Sequence, residues 1–141
     1  MAADQKGDRR ARALFTSGFY DESGELVARL LTRPWSDGAV WSINSAPGVP
    51  GEITDFKNKW NAELRNRLYG PNRSADLDGE YIDSSEGYVT DELNFRREHF
   101  KYADIPLTYD AIDGRPVQMG RFAYLELVQQ MGKTLHPKGY C

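Results

Sequence analysis

The sequence predicts an α/β fold, and specifically a partial (β/α)-barrel segment with an N-terminal β-hairpin. Three stretches lead to this prediction. Residues 38–44 form a short apolar run with little alternation, typical of a strand covered on both faces. Residues 52–69 carry the clearest helical periodicity, and residues 77–83 follow as a second strand. Strand, helix and strand in this order make a βαβ unit. The alternative is a compact α+β single domain whose hairpin completes the sheet.

Composition limits the classes of function. The 141 residues allow one modest domain, and 28% charged with 40% hydrophobic residues is a globular composition. A net charge of −3 predicts no nucleic-acid partner, and no apolar run approaches the ~20 residues of a membrane span. One cysteine and two histidines exclude a Cys-based or multi-His metal centre within this chain, so we predict no metal and no cofactor.

The domain boundaries follow from charge and periodicity. Residues 1–12 are charged and lack the apolar segment of a secretory signal, which predicts a flexible N-terminus. Residues 13–141 then form a single α/β domain or a barrel fragment. Within it, residues 13–20 and 25–33 predict the two strands of the hairpin around a turn at 21–24, and Pro34 ends the second strand. A helix over 25–31 is an alternative, because apolar residues there also recur four apart.

The remaining elements are predicted from apolar spacing and turn residues. The helix at 52–69 has a stripe that contains Phe56, Trp60 and Leu64, and Gly70-Pro71 ends it. Thr90 or Asp91 could cap a short helix that runs to residue 100. Asp113-Gly114 predicts a hairpin turn between two edge strands, and residues 122–135 predict a final helix.

The order of these elements favours a barrel fragment over a complete domain. A final helix should feed a third parallel strand, and none follows residues 122–135 before the sequence ends at Cys141. A two-stranded parallel sheet would expose both edges and much of an apolar face. We therefore expect self-association through exposed sheet edges.

An acidic segment supplies the candidate catalytic residues. Five carboxylates fall within eleven residues, and a strand that carries them into a packed interior requires a reason. Asp83 ends the predicted strand, where barrel enzymes present catalytic carboxylates, and Glu86 follows three residues later. A separation of about 5 Å between two carboxylates suits a retaining glycosidase, and a wider gap suits inversion. The alternative is that Asp83 caps the turn and Glu86 is solvated.

Two further groups of residues have functional and structural interpretations. Arg97 and His99 are candidate substrate-binding residues: the arginine could hold Asp83 or Glu86 ionised and the histidine could move a proton. The alternative is that they end a surface helix and complement its dipole. The acidic segment fails as an EF-hand, since Tyr81 and Gly87 occupy the glycine and glutamate positions. Asp76 and Asp78 form a D-x-D pair, which leaves a metal-dependent glycosyl transferase as a weaker hypothesis.

The stretch Asp78-Gly79-Glu80-Tyr81-Ile82-Asp83 resembles a middle strand of TIM-barrel glycoside hydrolases, and Gly38-Ala39-Val40-Trp41-Ser42-Ile43-Asn44 is similar to a preceding barrel strand. The resemblance covers about residues 38–139, or two to three βα units. It implies a carbohydrate substrate, with Asp83 as nucleophile or substrate ligand and Asn44 facing the sugar. Trp41 and Tyr88 would then be stacking platforms. The alternative function is a non-catalytic α/β domain that binds a cation, a sugar or a basic partner.

Overall fold

The computed structural model describes residues 8–34, 37–73, 76–82 and 92–136. These residues form five helices and five strands. The helices are α1 (Arg9–Ser17), α2 (Asp55–Lys59), α3 (Ala62–Tyr69), α4 (Arg97–Phe100) and α5 (Gly120–Leu135). The strands are β1 (Ala28–Leu31), β2 (Gly38–Trp41), β3 (Leu93–Asn94), β4 (Thr108–Tyr109) and β5 (Pro116–Met119). The fold is thus mixed α/β.

Both sheets are small and antiparallel. β1 pairs with β2 in a register that places Ala28 opposite Trp41. The second sheet has the order β3-β5-β4, with Leu93 opposite Met119 and Thr108 opposite Val117. Within the described residues no two strands pair in parallel and no barrel closes, so the predicted parallel βαβ unit is wrong there. The arrangement is consistent with the compact α+β alternative.

The first predicted strand of the N-terminal hairpin is a helix. α1 begins at Arg9, inside the stretch predicted as a flexible lead-in, because Asp8 caps it by accepting a hydrogen bond from the Arg10 amide at 2.8 Å. The turn at 21–24 is present, closed by a bridge between Tyr20 and Leu26. The second predicted strand is present as β1, but it pairs with the later strand β2 and not with residues 13–20.

The predicted helix at 52–69 is two helices. Thr54 caps α2 by accepting from the Lys57 amide, and Trp60 leaves the helical conformation at φ −135° and ψ 67°. Asn61 then caps α3 by accepting from the Leu64 amide at 2.8 Å. The apolar stripe was a valid helix signal, but an asparagine within it starts a new helix.

The C-terminal part matches its predictions more closely. α5 covers the predicted helix and begins two residues earlier, at Gly120. Asp113-Gly114 makes the predicted turn between β4 and β5, with Gly114 at φ 71°, a value that favours glycine. The short helix predicted to end at residue 100 is shorter than expected, because β3 occupies its first half and leaves only α4.

The acidic segment is not a buried strand over the residues that the structure describes. Residues 76–82 lie outside every strand, and the Tyr81 side chain is 87% exposed. Asp76 is paired with Arg73 at 2.5 Å, and Glu80 accepts from the Tyr69 hydroxyl at 2.8 Å. Since these carboxylates remain at the surface, the segment avoids the cost of burying charge and needs no special compensation.

The apolar core is thin and is shared with buried polar side chains. Phe19, Trp60, Val117 and Leu127 are among the buried apolar residues, while ten polar or charged residues of the described ranges are buried as well. Leu30 and Ile112 are 78% and 87% exposed. The β1–β2 ribbon is solvent-exposed along most of its length, so self-association through its edges stays a prediction.

We expect Asn61→Ala to lower the free energy of unfolding by about 1 kcal/mol, because the Leu64 amide loses its capping acceptor. Asn66→Ala is the matched control, since Asn66 is an exposed residue inside the same helix, where alanine is the better helix former. Urea unfolding of both variants checks this. Equal stabilities for the two variants would show that the cap at Asn61 does not stabilise α3.

Candidate functional site

A cavity lined by described residues has a volume of about 770 Å³. This volume lies within the range of small-molecule sites. α1, α2, α5, the β1–β2 ribbon and the segment after β2 all contribute to its wall. Its apolar side chains include Phe19, Trp41, Ile43, Leu127 and Met131. Its charged and hydroxyl-bearing residues are Arg10, Arg29, Ser42, Ser45, Asp55, Lys59, Glu92 and Tyr124.

One polar cluster on the cavity wall consists of Ser45, Asp55 and Lys59. Thr54 starts α2, so Asp55 falls in the first turn and Lys59 lies one turn later, on the same face. The Ser45 hydroxyl donates to Asp55 Oδ2 at 2.6 Å, and Lys59 Nζ contacts the same oxygen at 2.8 Å. Lys59 Nζ also lies 3.2 Å from Ser45 Oγ. The Asp55 amide donates to Ser17 Oγ at 3.0 Å, which fixes α2 against the end of α1.

A second cluster consists of Arg29, Ser42 and Glu92. Arg29 Nη2 lies 3.2 Å from Glu92 Oε1, and the Ser42 hydroxyl donates to Glu92 Oε2. The Glu92 carbonyl accepts from the Gly120 amide at 2.9 Å, so the start of α5 holds the backbone of this residue. Both clusters therefore share one pattern, in which a carboxylate is bound by a cation and by a serine hydroxyl.

This pattern suits binding better than nucleophilic catalysis. A nucleophilic serine needs a base that can accept its proton. Ser45 instead donates to a carboxylate that is already paired with an ammonium group, and Lys59 uses its own protons on the same two residues. The described wall thus offers fixed donors and acceptors around an apolar centre, without an activated nucleophile.

The structure does not bring the predicted site residues together. Trp41 lines the cavity. Asn44 and His99 are each 1% exposed and lie in a buried polar network. Arg97 lines a separate depression of about 370 Å³. The two predicted catalytic residues, Asp83 and Glu86, and the predicted platform Tyr88 lie outside the described residues.

Asn44 and His99, which the sequence predicted to contact substrate, use their polar atoms inside the fold. Asn44 Nδ2 donates to Gln118 Oε1 at 2.7 Å and lies 3.1 Å from His99 Nδ1. Asn94 Nδ2 contacts the same two acceptors, each at 3.2 Å. His99 Nε2 lies 2.9 Å from the Thr16 carbonyl oxygen. This geometry fixes a neutral tautomer that donates from Nε2 and accepts at Nδ1.

The surroundings of His99 oppose its protonation. Burial lowers the pKa of His99 to about 4, and the nearby Arg96 guanidinium acts in the same direction, although the hydrogen bond to the Thr16 carbonyl opposes it. Protonation would also place a proton on Nδ1, where two amide groups already donate. His99 is therefore a structural histidine and not a proton shuttle.

The depression that contains Arg97 is built from stacked arginines. Arg96 lies 4.6 Å from the centroid of the Tyr20 ring, and Arg115 lies 4.9 Å from that of Phe95. Arg96 and Arg115 are each paired with carboxylates, at 3.4 Å to Glu98 and at 2.5 Å to Asp113. These contacts hold the loops together, and Arg97 itself is exposed.

Glu126 is another buried carboxylate, and it does not line the cavity. Its Oε1 accepts from the amides of Asp104 and Ile105, both at 3.0 Å. Burial raises the pKa of Glu126, while the two backbone hydrogen bonds oppose this effect. Its place against the loop before β4 gives it a structural role.

The structure gives no support to the metal hypothesis. In the described ranges no group of three or more His, Cys, Asp or Glu side chains could hold an ion. Asp76 is bound by Arg73 and Asp78 is exposed. The helices described in this chain include none that is long and apolar enough to cross a bilayer.

Most residues of the cavity were missed by sequence reasoning. Asp55 and Lys59 had a local signal, because Thr54-Asp55 resembles a helix start and the acid and base are four residues apart. Ser42, Ser45 and Glu92 had none, since their partners are 10 to 63 residues away.

Comparison with known proteins finds no matching family, no similar curated protein and no similar solved structure.

The buried network predicts a pH dependence of stability. The pKa of His99 is about 4 in the folded chain against 6.5 for an ordinary histidine, so the unfolded chain binds the extra proton between these values. The contribution to stability is complete above pH 6.5, falls as the pH drops towards 4, and amounts to roughly 3 kcal/mol. Urea unfolding between pH 4 and 7 measures it.

The control is His136→Gln, which removes the other histidine, an exposed one. The control should keep the pH slope of the parent chain, and His99→Gln should reduce it. An imidazole signal of His99 that titrates near pH 6.5 in the folded protein would contradict the prediction.

Proposed function

We propose that this chain is a carbohydrate-binding α/β domain and that the cavity beside Trp41 is its sugar site. The observation that carries the proposal is the position of Trp41 on the wall of a 770 Å³ cavity with two clusters of hydroxyl, carboxylate and cationic groups. Sugar rings have apolar faces that pack on aromatic rings and hydroxyls that bind fixed polar groups. The sequence had already indicated Trp41 as a stacking platform.

Both polar clusters have the chemistry that sugar hydroxyls need. A hydroxyl group donates to a carboxylate and accepts from an ammonium or guanidinium group. Asp55 with Lys59 and Glu92 with Arg29 present such pairs of acceptor and donor. Lys59 and Arg29 have side chains that are 52% and 61% exposed, so a ligand can reach them.

Glycosidic bond hydrolysis is the second candidate, and it would make the chain a segment of a (β/α)-barrel glycoside hydrolase. It rests on the resemblance of residues 78–83 and on one structural observation. Ile82, which precedes Asp83 in the sequence, lines the cavity. Asp83 would act as the nucleophile or substrate ligand and Glu86 as acid/base. Hydrolysis and sugar binding that are both unchanged in Asp83→Asn would remove this candidate.

The binding proposal predicts that Trp41→Ala weakens saccharide binding about tenfold, because the sugar loses its aromatic platform. Binding is measured by calorimetry or by amide chemical shifts with a panel of soluble disaccharides. Tyr109→Ala is the matched control, since Tyr109 is an aromatic residue that is 71% exposed and lies outside the cavity wall. The control should bind as the parent chain does.

Three outcomes decide between the alternatives. Saccharide shifts centred on Trp41, Ser42 and Ser45 would support the proposal. Binding of Ca²⁺ without any sugar would favour a cation-binding domain instead. Equal losses in Trp41→Ala and Tyr109→Ala would show that the cavity is not the site.

A further inference from the structure

The charges on the cavity wall do not balance. Three cationic residues line it, and two carboxylates face them. Arg29 is paired with Glu92, and Lys59 with Asp55. Arg10 has no carboxylate partner among the residues that the structure describes. Among the described lining residues there is thus one positive charge in excess, although the chain as a whole has a net charge of −3.

Arg10, the cation without a described carboxylate partner, follows a residue that joins α1 to α2. Arg9 Nε donates to Asn58 Oδ1 at 3.2 Å, and Asn58 Nδ2 donates to the Arg9 carbonyl at 3.0 Å. These two hydrogen bonds tie the start of α1 to α2. Arg10 is the next residue on α1, and Lys59 is the next residue on α2, so the two cations come from adjacent positions of a bonded pair of helices.

Both cations have donors to spare within the described part of the chain. An ammonium group has three protons and a guanidinium group has five. Lys59 directs two of its donors to Asp55 and Ser45. No described contact uses the Arg10 side chain, which is exposed. Arginine and lysine with free donors on the wall of one cavity suit a carboxylate, which accepts several charge-assisted hydrogen bonds.

We infer that the saccharide bound in this cavity is an acidic sugar, whose carboxylate lies at the end formed by Arg10 and Lys59. This inference rests on the proposed function and names the ligand class of the same site. Neutral rings would pack near Trp41, and the acidic group would neutralise the excess positive charge. The inference predicts discrimination between two sugars of the same size and linkage.

The experiment compares a diuronate with the neutral disaccharide of the same linkage, using calorimetry on the whole chain at low salt. We expect the diuronate to bind about tenfold more tightly, the value of one charge-assisted hydrogen bond. Arg10→Gln should weaken binding of the diuronate more than binding of the neutral sugar, and so remove this preference. Because the contact is electrostatic and half-exposed, raising the salt from 0.05 to 0.5 M should weaken only the diuronate, roughly to the level of the neutral sugar.

Arg12→Gln is the matched control. Arg12 is an exposed arginine on the same helix, lies outside the cavity wall and pairs with Glu52 at 3.9 Å. The control should keep the preference for the diuronate. Amide spectra of both variants that match the parent chain would show that neither substitution disturbs the fold.

The outcomes distinguish failure of the acidic-sugar inference from failure of the proposed carbohydrate binding. Equal affinity for the two disaccharides would overturn the acidic-sugar inference and leave carbohydrate binding standing. Absence of binding by either sugar would overturn both. Decanoate, a carboxylate on an apolar chain, is the third ligand. If decanoate binds more tightly than the diuronate and this binding depends on Arg10, the cavity takes an amphipathic acid, and both proposals fail.

Discussion

The fold depends on the pairing of buried polar groups around a neutral imidazole. His99 accepts from two asparagine side chains and donates to a carbonyl at the end of α1, while Gln118 accepts from the same two amides. These contacts join α1, the segment after β2, β3, α4 and β5. Leaving one of these paired groups without its partner would cost about 1–3 kcal/mol, a cost already present at Gln118 Nε2, which has no hydrogen-bond partner among the described residues. With a thin apolar core, this network decides which segments meet.

The same network positions the cavity. Asn44 points its amide into the network, and its two neighbours, Ile43 and Ser45, line the cavity. Asn44 Oδ1 also accepts from the Ala46 backbone amide at 3.0 Å, and this hydrogen bond shapes the turn that follows. The backbone amide of Asn44 donates to the Ser17 carbonyl at 2.7 Å. These hydrogen bonds thus fix the backbone that carries Trp41, Ser42 and Ser45, as a preorganised binding site requires.

Local signals in the sequence were sufficient where an element is stabilised by its own residues. α5 and the Asp113-Gly114 turn were predicted because periodicity and turn chemistry act over a few residues. Asn61, a good N-cap residue, also carried a local signal for the break that splits the predicted helix at 52–69. For the site, local signals in the sequence were not sufficient. Asn44 was assigned to a sugar because a polar residue ends an apolar run, but its partners His99 and Gln118 lie 55 and 74 residues away. Among the described residues, Trp41 alone was predicted from the sequence as a site residue and also lines the cavity.

The arrangement of charges at the cavity is easier to explain by binding than by stability. Ion pairs between half-exposed side chains contribute little to stability, about 0–1 kcal/mol, and each holds two long side chains in one geometry. Yet both cavity pairs are reinforced by a serine hydroxyl, which donates to the carboxylate and fixes it. Arg10 adds a charge with no described partner, which brings no stabilising contact to the free protein. A ligand with an acidic group would supply Arg10 with the partner that the described residues do not provide.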